Sequence, residues 1–253
     1  MEKKRGIDSF TLHILAMLFI LCDHLWATLF QAQEWMTCVG RLAFPIFAFM
    51  IAEGCYYTSN VKKYMLRLFL FAIISEIPFN LIMGSSVFYP FHQNVLWTFL
   101  LGVLSIQIIE KAKKKQKKWI SFFVVCLVLL MDFLLGTITM VDYNAAGILT
   151  VLLFYFFRKK TWISFAAQLV GLYYLNVVML GNLYYPVTIL GHHFEIAQQS
   201  FALLALIPIW LYHGEQGYHN KWFKYFCYAF YPVHLLILYL IVYKMGYGSV
   251  PAI

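Results

Sequence analysis

Long apolar runs, broken by short polar or basic stretches, repeat along the whole chain. A helix needs roughly 20 apolar residues to cross a bilayer. That ruler marks spans near 10–30, 37–58, 64–83, 95–109 and 119–135. Four more follow near 145–157, 162–180, 200–212 and 223–243. Several fall short of the ideal length, so eight to eleven spans fit the pattern and nine fits it best. Residues 181–199 form a loop long enough to hide a re-entrant or interfacial helix. The basic start at 1–6 leads into a full-length apolar span with no small-residue cleavage site after it, which reads as a retained first helix. The expected fold is all-α: a polytopic transmembrane helix bundle, with residues 1–253 forming a single domain.

Composition agrees. Of the 253 residues 62% are apolar and 12% charged, and mean hydropathy is +0.74. Soluble domains are nearer half apolar and a quarter charged, and disordered chains are poor in aromatics, which make up 19% here. The net charge of +8 does not point to nucleic acid, because the basic residues sit in short runs between apolar stretches. With a cytoplasmic N-terminus and nine alternating spans, 17 of the 19 basic residues fall at inner ends, leaving Arg41 and Lys244 outside. That is the positive-inside bias. The six lysines from Lys111 to Lys118 read as a topology signal. The five cysteines lack CxxC or Cys/His ligand spacing, so neither a disulfide nor a metal is expected.

Ionisable groups inside spans are costly and usually serve function or each other. At 1.5 Å rise per residue, His24 lies about 9 Å below the outer end of the first span, Arg41 about 6 Å inside the second and Glu76 about 10 Å inside the third. With Asp23, Asp132 and Asp142 these groups form an outer layer that could converge on one cavity. Successive helical residues project about 100° apart, so Asp23 is not expected to orient His24; Glu76 or Asp142 is the better candidate. Arg41 and Glu76, at matching depths, are a candidate pair, and snorkelling to outer head groups is the plainer reading of Arg41.

An inner layer holds Glu53 and Arg67, expected as an ion pair that fixes a hairpin, together with Arg5 and Asp8. His13 and His234 read as satisfied core histidines, and Asn80 and Asn94 flank an outer loop. Histidine can take a proton from an amine or hydroxyl near neutral pH, and arginine can stabilise a developing oxyanion. Arg5, Lys62, Lys63 and Arg67 at the inner face could hold the phosphates of a long cofactor from the cytoplasm. Acyl-CoA has that shape. A proton-coupled transporter of a small solute, using the same acids and histidines as a relay, is the alternative. There is no GxGxxG, P-loop, HExxH or GxSxG.

Six stretches resemble the TraX family of integral membrane acetyltransferases: CDHLWA (22–27), GRLAFPIFAFMIAEGCYYTSN (40–60), KYMLRLFLFAIISEIPFNLIMG (63–84), NVLWTFLLGVL (94–104), DYNAAGIL (142–149) and YAFYPVHLLIL (228–238). The resemblance implies transfer of an acetyl or short acyl group from cytoplasmic acetyl-CoA, a co-substrate, to an outer-face acceptor. It implies a bacterial inner (plasma) membrane location, a pilin-like peptide or glycan acceptor, and kinship with type 3 and heparan acyltransferases. By position it implies catalytic roles for Asp23, His24, Arg41, Glu76 and Asp142. It adds Glu53, Asn94 and His234 to Arg5, Lys62, Lys63 and Arg67 on the cofactor side. The family more often has Asp where this chain has Asn80, which carries no weight.

Overall fold

The computed structural model describes residues 6–181, 183–189 and 192–246. Helix α1 (Ser9–Thr28) is followed by α2 (Glu34–Gly40), α3 (Ala43–Tyr57), α4 (Val61–Gly84) and α5 (Val95–Lys115). Then come α6 (Lys118–Ile138), α7 (Asn144–Phe156) and α8 (Trp162–Leu172), the last extended by a π-helical segment, Tyr173–Met179. An antiparallel hairpin of β1 (Tyr184–Ile189) and β2 (His192–Ala197) precedes a 3₁₀ segment, Gln198–Ala205, then α9 (Leu206–Leu211) and α10 (Lys221–Lys244). Several helices start on a side chain that accepts an otherwise orphaned N–H: Asp8 from Thr11, Asn60 from Lys63, Asn94 from Leu96, Asn220 from Phe223.

Helical segments stand at the nine expected positions, with three changes. Among the described residues seven segments are long and apolar enough to cross a membrane, while Asn144–Phe156 and Gln198–Leu211 are shorter. At about 20 Å, α7 is too short to bridge hydrocarbon alone. It is shielded by α3, α5, α6 and α8, and eight of its residues are buried, so protein satisfies it where lipid would not. The second span is broken at Arg41–Leu42 between α2 and α3. The loop 181–199 carries the β-hairpin where a re-entrant helix was the open alternative. By contrast α6 buries only Ser121, Val128, Asp132 and Gly136. Those spacings of seven and four put one stripe inward and leave the rest for lipid.

Contacts between loops confirm the alternation. Ile7 N–H donates to Leu211 O (3.0 Å) and Ser9 N–H to Glu215 O (2.9 Å). Lys160 Nζ reaches Trp210 O (2.9 Å) and Lys113 Nζ reaches Tyr155 Oη (3.0 Å). These join the start of α1, the α5 end, the α7–α8 turn and the α9–α10 loop at one end. At the other, Asp142 N–H donates to Gln93 O (2.8 Å) and Gln198 Nε2 to Thr37 Oγ1 (3.2 Å). The lysine run lies at the first end. Lys3, Lys4 and Arg5 lie outside the described residues.

Candidate active site

The expected outer layer resolves into four small groups. The first is Asp23 with Arg41, whose Nη2 donates to both carboxylate oxygens at 2.5 and 2.6 Å. Thr37, one turn before Arg41, donates its hydroxyl to Asp23 Oδ1 (2.8 Å) and accepts from Gln198 Nε2 (3.2 Å), which also donates to Tyr185 Oη (3.1 Å). The hairpin is thus tied to the ion pair. Arg41 does not snorkel: its side chain is 13% exposed. Gly40 lets α2 come this close, since a Cβ there would sit 2.4 Å from Asp23 Cβ.

The expected Arg41–Glu76 pair is not formed. Glu76 Oε2 accepts instead from Asn94 Nδ2 and from Trp97 Nε1 (2.9 Å), while its Oε1 is buried without a partner. Asn94 also donates to Ala72 O (2.9 Å) and caps α5, so it ties α4 to α5 and is no wall of the cavity below. Arg41 and Glu76 are turned to different neighbours.

The third group is His24 with His234. Nδ1 of His24 lies 2.7 Å from Nε2 of His234, and the ring planes are 8° apart with centroids at 4.9 Å. His234 Nδ1 is 2.7 Å from Phe230 O. The side chain that meets His24 is therefore a histidine of the last helix, where Glu76 or Asp142 was expected. His234, expected on the cofactor side, is not among the residues that line the cavity below. Asp142 belongs to the fourth group, with His92 Nε2 at 3.4 Å. Burial alone would pull His92 down, but the Asp142 carboxylate prevails and holds it above its ordinary value. Asp142 also acts electrostatically on Arg41. Asp132 stands apart, between α5 and α6, accepting from Ser105 Oγ (2.6 Å).

Below this layer a cavity of about 570 Å³ runs between α1, α3, α4, α5 and α10. Its wall extends from the loop residues Gly214, Gln216 and His219 up to Ile20, Phe99 and Tyr231. Ile20 is one helical turn, about 6 Å, below His24, and the Tyr231 ring is 6.4 Å from the His24 ring. The inner wall carries His13, Arg67, His219 and Lys224.

The expected Glu53–Arg67 pair is overturned here. Arg158 Nε donates to Glu53 Oε1, and Nη2 lies 3.5 Å from Oε2, a partner 105 residues away. Arg67 keeps a buried Nε without a partner, and its guanidinium lies 5.8 and 6.0 Å from the Tyr64 and Tyr228 ring centroids. A smaller cavity of about 450 Å³ shares the Glu53–Tyr57–Tyr212 wall and adds Arg158, Lys159 and Lys160. Lys62 and Lys63 are exposed in the first turn of α4 and line neither cavity. His92, Thr37, Gln198, Arg158 and Lys224 were missed. The one legible signal was Thr37, a turn from Arg41 on the same helical face.

These features define a multi-pass helical membrane protein with a polar site at one end and a cavity reaching it from the basic end. The family model described as TraX protein matches residues 9–242, nearly the whole chain, and the chain belongs to that family. It is 24% identical over 250 residues to the probable fimbrial assembly protein FimC, serogroup H1, of Dichelobacter nodosus, covering 94% of this chain and 97% of the relative. No solved structure matches it.

Proposed function

We propose that the chain is an acetyl-CoA-dependent transmembrane acetyltransferase of a bacterial inner membrane, acting on a pilin-like peptide at the outer face. The observation that carries this is the inner cavity ending one turn below His24. A long anionic donor fits a passage that is basic at its mouth and apolar along its length. The fimbrial relative supports a peptide acceptor over a glycan. His24 takes the proton from the acceptor nitrogen as the N–C bond forms and the thioester C–S bond breaks, then returns it to the thiolate. Arg41 stabilises the developing oxyanion through Nη1, which has no hydrogen bond among the described residues.

Sidedness tests the reading. In sealed vesicles of known orientation, acetyl-CoA on the lysine-loop face should acetylate a short free-amino peptide on the opposite face and release coenzyme A. A requirement for both substrates on one side would end the membrane-crossing mechanism, and transport without release of coenzyme A would favour the transporter. Arg67→Gln should raise the KM for acetyl-CoA roughly tenfold or more with kcat within about twofold, the pattern of lost donor binding. An unchanged KM would remove Arg67 from the donor site.

A further inference from the structure

A base is useful only with its lone pair on the nitrogen that faces the substrate, and in histidine the bond at the other nitrogen decides this. The centroids of His24 and His234 are farther apart than their bonded nitrogens by about two ring radii (4.9 against 2.7 Å), and the planes differ by 8°. The rings therefore lie edge to edge, in line, with an in-plane N–H···N bond, rather than face to face. A direction follows from the far end. A backbone carbonyl only accepts, so at 2.7 Å from Phe230 O the Nδ1 of His234 must carry hydrogen. In the neutral ring the lone pair is then on Nε2. That nitrogen can only accept from His24 Nδ1, which must carry hydrogen in turn. The lone pair of His24 is left on Nε2, for which no hydrogen bond is formed among the described residues.

We propose that His234 is a positioning residue: anchored on the Phe230 carbonyl, it locks His24 in the tautomer whose Nε2 is the base. When Nε2 takes the proton, the charge on His24 is shared along Nδ1–H toward His234 Nε2, and it disappears when the proton passes to the thiolate. This role rests on the acyltransferase reading; the tautomer does not, and the two can fail separately.

Nitrogen NMR on the full chain in nanodiscs, with ¹⁵N-labelled histidine, reads the tautomer without turnover. The signals lost in His24→Gln should show a protonated Nδ1 and a bare Nε2. His234→Asn keeps a donor for the Phe230 carbonyl but removes the acceptor, so His24 should change tautomer and kcat should fall on the order of 10²–10⁴-fold, with the KM for acetyl-CoA within about twofold. His234→Gln places an amide oxygen near the lost Nε2 and should restore the tautomer and most of the rate. A protonated Nε2 on wild-type His24, or a Gln variant as impaired as the Asn variant, overturns the proposal. The stated tautomer in a chain that releases no coenzyme A would keep the lock and sink the acyltransferase.

Discussion

His24→Ala should lower acetyl transfer on the order of 10²–10⁴-fold in a chain that still folds and inserts. The imidazole bonds to one side chain, and the Thr28 hydroxyl donates to the His24 backbone carbonyl, which the substitution keeps. Its loss therefore removes chemistry more than architecture. Transfer rate and thermal midpoint, measured on the same nanodisc preparation, separate the two. A folded variant with near-normal turnover would exclude His24 as the base.

The second large effect concerns stability. Asp23 and Arg41 are 15% and 13% exposed, and each is the other's charged partner. Arg41→Ala strands a carboxylate and Asp23→Ala strands a guanidinium, each at a cost of about 3–5 kcal/mol. Replacing both by apolar residues should cost less than the two single changes added together, because no uncompensated charge remains. A double-mutant cycle on unfolding should return a coupling of about 0.5–3 kcal/mol for Asp23 with Arg41 and far less for Arg41 with Glu76. Equal coupling in the two cycles would contradict the pairing described.

Much of the fold was legible because the bilayer imposes a length on every segment it touches. The rule is silent where protein replaces lipid, as around α7, and between the long apolar runs, where β1 and β2 pair. Within the site the chain revealed height and hid direction. Asp23, His24, Arg41 and Glu76 were singled out by height alone, because residue counts along a helix give depth and not direction. Their partners were not. Glu53 was matched to Arg67 by nearness in sequence, whereas Arg158 reaches it from the α7–α8 turn. His234, read as a core histidine, is 210 residues from the ring it holds. No local pattern encodes such meetings; they follow from how α1 packs with α10 and α3 with α7.

The single turn of α1 between Ile20 and His24 also settles an electrical account. On the proposed reaction one acylium equivalent passes outward at each turnover, and the proton it displaces from the acceptor passes inward with the thiolate. The two charges cancel. The membrane potential, which acts on an unbalanced charge with about 2.3 kcal/mol per 100 mV, therefore neither drives nor opposes the exchange. The free energy of the thioester alone gives it direction.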